Sequence, residues 1–161
     1  TPDFFYGLNF YFQYKGFDLT MFWQGIQGRD IISDLKKETD LWSGLNIGFL
    51  NKGRRVLDAW TPNNPDSDIP ALTRSDLNNE KRVSTYYVED GSFLKLRNIQ
   101  LGYNVPEAAL QKVKMRKLRV YVSAQNLLTI KSRTFTGVDP ENPNYGYPIP
   151  MNLTFGVNIG F

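Results

Sequence analysis

Between Phe4 and Tyr14 the sequence FFYGLNFYFQY alternates, with Phe4, Tyr6, Leu8, Phe10, Phe12 and Tyr14 on one side and Phe5, Gly7, Asn9, Tyr11 and Gln13 on the other. A repeat of two is the period of a strand, so 4–14 is predicted as a strand with one uniformly large, apolar face. After a short turn at Lys15 and Gly16, FDLTMFWQG sets Phe17, Leu19, Met21 and Trp23 against Asp18, Thr20, Phe22 and Gln24. This predicts the second arm of a tight hairpin over 17–25. From 26 to 91 the alternation stops and Gly, Asn, Asp, Pro and charged residues gather, as in WTPNNPDSDIP from Trp60 to Pro70. The expectation is one long loop, with a short helix near Ile32 to Thr39. A structureless stretch of that length argues against a compact soluble domain.

A third strand is predicted over 93–104, where FLKLRNIQLGY changes phase near Asn98: Leu94 and Leu96 share one parity, and Ile99, Leu101 and Tyr103 the other. A bulge, or a strand projecting past the apolar layer, accounts for such a change. VPEAALQKV opens on a proline and carries good helix formers, which predicts a short helical turn. The fourth strand, 117–128, sets Leu118, Val120, Val122 and Ala124 against Arg119, Tyr121, Ser123 and Gln125. A loop rich in Gly, Pro and Asn then leads to MNLTFGVNIGF, the fifth strand, over 151–161. There Leu153, Phe155, Val157, Ile159 and Phe161 oppose Asn152, Thr154, Gly156, Asn158 and Gly160. Burying each of those five side chains is worth roughly 1.5 to 3 kcal/mol. A slip of one residue turns all five to the other face, so the register is strongly specified.

Composition adds a second constraint. Aromatic residues make up 14% of the 161 residues, yet mean hydropathy is −0.40. A membrane barrel has this mixture, because its strands show apolar groups to lipid and polar groups to an aqueous lumen. A soluble all-β protein can share it. The net charge of +3 is too small and dispersed to point to nucleic acid. The densest basic run, Lys112, Lys114, Arg116, Lys117 and Arg119, reads as a solvated turn, and Arg54 and Arg55 read as solvated too. With neither Cys nor His, the chain lacks thiol nucleophiles, disulfides and the commonest general base and metal ligand. No catalytic residue, metal site or cofactor is expected, and the protein is not expected to be an enzyme. No apolar run reaches the roughly 18 residues of a membrane helix. Thr1 does not open a signal peptide, so any export signal is expected upstream of it.

Period two cannot by itself tell a lipid face from a buried core. Two readings stay open: a wall of an outer-membrane barrel, and a soluble or surface β-domain that binds carbohydrate or protein. Several stretches in order resemble the carboxy-terminal region of the SusC/RagA-type TonB-linked outer-membrane proteins: YGLNFYFQYKGFDLTMFWQGIQG at 6–28, AWTPNNPDSDIPAL at 59–72, STYYVEDGSFLKLRNIQLGYNVP at 84–106, LRVYVSAQNLLTI at 118–130, and GVDPENP through Phe161.

The resemblance implies an all-β fold: the last five strands of an antiparallel transmembrane barrel of about 22 strands, with one long extracellular loop. Phe161 then ends on the periplasmic side, long connections fall outside and short ones inside. Five strands cannot close a barrel, so the chain is expected to be a piece of a larger protein whose plug lies elsewhere. By the same resemblance the parent protein imports glycans or peptides across a Gram-negative, Bacteroidetes-like outer membrane, driven by TonB through the missing amino-terminal part. Its partners are a SusD-like surface lipoprotein, membrane lipid and lipopolysaccharide. In the long loop, Trp42 and Trp60 are candidates to stack on a sugar ring, and Asp58, Asn63, Asn64, Asp66 and Asp68 to hydrogen-bond cargo or hold calcium, although the spacing is not that of an EF-hand. The competing reading is that WTPNNP folds the loop. Leu153, Phe155, Val157, Ile159 and Phe161 resemble the terminal signal read by barrel-insertion machinery. Asp139 and Glu141 in DPENP read as turn chemistry rather than as a glycosidase pair, and the Asn152-Leu153-Thr154 acceptor pattern as chance within a strand.

Overall fold

A computed structural model describes residues 1–41, 51–76, 79–111, 115–143 and 146–161. In chain order the strands are β1 (Phe4–Tyr14), β2 (Phe17–Gln27), β3 (Asp30–Ile32), β4 (Val88–Asp90), β5 (Phe93–Asn104), β6 (Lys117–Lys131) and β7 (Asn152–Gly160). The helices are α1 (Asp34–Asp40) and α2 (Glu107–Leu110), and 3-10 turns run over Arg54–Asp58 and Thr85–Tyr87. Five strands form one sheet in the order β1-β2-β5-β6-β7, every pairing antiparallel, while β3 and β4 pair apart from it. The chain divides into two units. One comprises Thr1–Arg29, Ser92–Ser132 and Pro148–Phe161, and the other Asp30–Gly91 and Arg133–Tyr147.

In the first unit the register gathers the apolar positions of all five strands on one face. Phe10 lies opposite Met21, Met21 opposite Ile99, Ile99 opposite Ala124, and Ala124 opposite Leu153. The row nearer the short turns runs Tyr14, Phe17, Tyr103, Val120, Val157. Directly opposed residues in an antiparallel pair share a face, so these rows form one continuous apolar surface. Phe155, Val157, Ile159 and Phe161 stand exposed on it or at its end, Phe155 at 80%.

The phase change near Asn98 is a bulge. Leu96 pairs with Leu128 but Asn98 pairs with Gln125, and on the other side the register shifts between Phe22 and Trp23. Arg97 is the extra residue on β5, and it restores Leu94 and Leu96 to the face of Ile99 and Leu101. Opposite Arg97, β6 has two unpaired residues, Asn126 and Leu127, one more than β5, with Asn126 at φ 54. Beyond the bulge β6 continues to Lys131, opposite Phe93, so it is longer than its period predicted; β2 likewise runs to Gln27, opposite Phe4. The ladder, not the alternation, sets those ends.

Both long connections leave the same end of this sheet, where Ile26 pairs with Phe93 and Phe93 with Lys131. There Ser92 ties the rim, accepting from the Gly28 N–H at 3.0 Å through its hydroxyl and from the Ser132 N–H at 3.2 Å through its carbonyl. The opposite end carries the tight turn at Lys15 (φ 46) and Gly16 (φ 86) and the short connection holding α2.

The second unit is a small folded body where one long loop was expected, and α1 falls where the short helix near Ile32 to Thr39 was predicted. Ser33 caps α1 by accepting from the Lys36 N–H at 3.1 Å, and the Ser33 N–H reaches the Tyr87 carbonyl at 2.8 Å. Its buried apolar residues include Ile31, Leu41, Ala59, Ile69, Tyr87 and Phe135.

The two faces of β7 make different demands on a charge. In the full-length protein reconstituted in lipid, Val157→Arg should lower unfolding stability by about 2 to 4 kcal/mol. The neighbouring Asn158→Arg should cost clearly less. Equal losses in denaturant titrations of the two variants would refute the assignment of faces.

Candidate functional site

The other face of the sheet is polar, and it holds a charged cluster across three strands. Asp18 of β2 and Arg119 of β6 flank β5, yet their side chains meet: Nε donates to Oδ2 at 3.0 Å and Nη2 to Oδ1 at 2.5 Å, a bidentate pair. Asn104 donates to Asp18 Oδ2 at 3.1 Å. The bridge passes over Gly102, where a β-carbon would stand 2.5 Å from Arg119 Nη2 and 2.7 Å from both Asp18 oxygens. Arg119 is therefore a partner in a wall, not one cation of a solvated turn. Arg116 and Lys117 are exposed as expected, and Lys112 and Lys114 lie outside the described residues. At the bulge, Arg97 donates to Gln24 Oε1 at 2.7 Å and to Asn126 Oδ1 at 3.3 Å, so the same face carries a second polar group.

The second unit is organised around buried charge. Asp40 accepts from the Tyr86 hydroxyl at 2.9 Å and pairs with Arg55 at 3.3 Å, which corrects the reading of Arg55 as a solvated cation. Arg54 is exposed. Lys36 donates to the Tyr86 carbonyl at 2.5 Å with its ammonium 4.1 Å from the ring centre, and Lys37 lies 5.0 Å from that of Tyr87. Burial pushes the Tyr87 phenol up to about 12. Burial and then the hydrogen bond to Asp40 push Tyr86 up as well, while burial lowers Lys36. Glu89 accepts from Thr136 twice, from Oγ1 at 2.7 Å and from the N–H at 3.2 Å, joining 30–91 to 133–147.

The loop residues singled out as cargo contacts have defined places. Asn64 Nδ2 donates to the Asp58 carboxylate at 3.0 Å and to its carbonyl at 3.2 Å, and Ser67 Oγ donates to the same carbonyl. Asp58 and Asn64 thus fold the turn. The Trp60 backbone N–H donates to the Ile69 carbonyl at 2.8 Å, the residue as a whole is 42% exposed, and Asn63 is exposed too. Asp66 and Asp68 are exposed; Trp42 lies outside the described residues. Among the described residues no group of three or more Asp and Glu is placed to hold a metal ion. Asp139 accepts from the Glu141 N–H at 3.0 Å, a local Asx turn that occupies the carboxylate.

Alternation could not reveal the Asp18, Gly102, Arg119 cluster, because its members are far apart in sequence and meet only once β2, β5 and β6 are neighbours. The signal was there in weaker form: single opposite charges at polar-face positions of two strands, and a glycine at such a position in a third.

Two TonB-dependent receptors of Formosa agariphila are 36% and 31% identical to this chain, over 100% and 99% of it and 16% and 17% of their own lengths. The RagAB peptide importer superposes on 100% of the chain in its open-open and closed-closed states, with TM-scores of 0.81 and 0.82 at 29% and 30% identity. The chain is a region of a SusC/RagA-like TonB-dependent receptor. No family model matches it. It spans about one sixth of the relatives' length, as 17% of the solved importer chain. TonB-dependent receptors are outer-membrane proteins, and the five-stranded sheet is a piece of such a barrel.

If the ion pair pins three strands of this receptor, Asp18→Ala and Arg119→Ala should each lower stability by about 1.5 to 3 kcal/mol, the scale of a hydrogen bond to a charged group, because both side chains are largely shielded from water. The double variant should lose much less than the sum, and Gly102→Val should mimic the single variants. Additive losses in that cycle would show that the two residues act separately.

Proposed function

We propose that the full-length receptor imports large nutrients, peptides or glycans, across the outer membrane of a Gram-negative, Bacteroidetes-like cell. TonB supplies the drive through a part of the receptor upstream of this chain, and a SusD-like surface lipoprotein is the partner at the mouth. The observation that carries this reading is the match of the whole chain to the RagAB peptide importer. Within that protein this region supplies wall and mouth. The short turns face the periplasm, and the two long connections face outward beside lipopolysaccharide. A soluble β-domain would bury the apolar face of its sheet, whereas Phe155, Val157 and Ile159 stand exposed.

The roles of single residues follow from their exposure. Trp60 is the candidate stacking surface for cargo or partner; Trp42 and Asn63 share that proposal, while Asp58 and Asn64 hold the turn that presents Trp60. Leu153, Phe155, Val157, Ile159 and Phe161 form the strand read during barrel assembly.

Cells carrying the receptor and its lipoprotein should take up labelled oligopeptides or oligosaccharides, and should lose that uptake when TonB is deleted. Trp60→Ala should reduce uptake by about threefold or more at equal surface level, the scale of one lost aromatic contact. Removal of Phe161 should instead reduce the amount of receptor in the outer membrane. Uptake of both cargo classes unaffected by loss of TonB would overturn the transport proposal. Normal membrane levels without Phe161 would overturn the assembly role.

A further inference from the structure

The ladder between β6 and β7 ends before β6 does. Its last rung pairs Gln125 with Asn152, yet β6 runs on to Lys131, held along its other edge by β5. The residues that lead into β7, Pro148 to Met151, are exposed and belong to no strand. Thr129 and Ile130 favour strand structure, so the composition of β6 gives its partner no reason to stop there.

Backbone parity supplies the reason. The Gly160 carbonyl accepts from the N–H of Arg116, the residue before β6, at 2.9 Å, so even-numbered residues of β7 turn their backbone groups toward β6. The register holds without a shift from Gly160 to Asn152, and the next residues of that parity are Pro150 and Pro148. Proline has no N–H, so each further rung would lack the donor that faces β6. Ile149 and Met151 keep theirs at the other parity. The carbonyl left at Pro150 is taken by a side chain: Asn126 Nδ2 donates to it at 3.2 Å, while Asn126 Oδ1 accepts from Arg97 Nη1 at 3.3 Å. Arg97 Nε in turn donates to Gln24 at 2.7 Å. Asn126 holds its place at φ 54, in the left-handed region that asparagine adopts more readily than most side chains. A line of side-chain bonds thus runs from β2 through the bulge to the point where β7 begins.

We propose that Pro148, Pro150 and Asn126 form a strand stop that fixes where the last connection leaves the sheet. The two prolines withhold the donors, and Asn126 ties off the carbonyl that remains. β7 is thereby kept to the nine residues Asn152–Gly160, close to the roughly 9 to 11 that a tilted strand needs to cross a bilayer. Without the stop, pairing would continue along β6 toward Lys131 and draw 146–151 out of the connection.

The test is hydrogen exchange, followed by mass spectrometry, on the full-length receptor in detergent. In the variant carrying both Pro148→Thr and Pro150→Thr, the new amides at 148 and 150 should exchange at least about fivefold more slowly than those of an unstructured chain, the weight of one hydrogen bond. Pro150→Thr alone, a milder change, should protect position 150 in the same way. Ile149→Thr places the same side chain at the other parity and should leave exchange over 149–152 unchanged. Asn126→Asp keeps an oxygen for Arg97 and a residue that accepts positive φ, but removes the donor to Pro150. The Asn152 amide, at the last rung, should then exchange about fivefold faster. New amides at 148 and 150 that exchange as in an unstructured chain would overturn the role of the prolines and leave the end of the ladder to the bulge alone. Unchanged exchange at Asn152 in Asn126→Asp would overturn the role of the asparagine.

Discussion

Every part of the sheet is governed by a conflict between backbone pairing and side-chain parity. In hydrocarbon an unpaired N–H or C=O costs several kcal/mol, so each strand must be hydrogen-bonded along its crossing. Apolar side chains must also keep one face over five strands. Where β5 carries one residue too many for its parity, at Arg97, the surplus cannot stay local. β2 shifts its register between Phe22 and Trp23, and β6 takes up Asn126 and Leu127 so that Leu128 returns opposite Leu96. Three strands thus share one irregularity, and the apolar face crosses it unbroken.

The polar face solves a different problem, that of holding charge where side chains on neighbouring strands crowd one another. Glycine is the device in two places. At Gly156 the missing β-carbon leaves room for the Tyr121 ring of the paired strand, which would otherwise lie 2.2 Å from it. At Gly102 the space admits an ion pair between strands that are not neighbours. The first packs an aromatic over a weak strand position, much as aromatic residues shield strand glycines elsewhere. The second links β2 to β6 directly, so their positions relative to β5 are coupled by more than backbone bonds.

These arrangements differ in how far they were legible. The five long strands could be read from parity, because Leu153 to Phe161 or Phe4 to Tyr14 leave no other period. The phase change at Asn98 announced a bulge, and the bulge is there. Its partner on β6 left a weaker sign, Asn126 on the apolar parity and Leu127 on the polar one, which became a bulge only once β6 was aligned with β5. The 26–91 segment shows the converse failure. It was read as a long loop with one short helix because the alternation stops there, whereas it folds into a body in which Lys37, Glu38 and Asp40 of α1 are buried. Hydrophobic periodicity is silent about a core built on ion pairs and tyrosines.

That core also constrains how the second unit can vary in sequence. A connection of this length would lose much conformational entropy on ordering, and few aliphatic side chains are present to offset it. The offset comes from a small set of specific contacts: Asp40 with Tyr86 and Arg55, Glu89 with Thr136, and Asp58 with Asn64. A buried carboxylate left without its donor is strongly penalised, so Asp40 and Glu89 tolerate little change, whereas the exposed Asp58 tolerates more. Trp60, Leu57 and Val83 are exposed and bear none of these bonds through their side chains. Substitution there can therefore alter what the segment presents without dismantling what holds it.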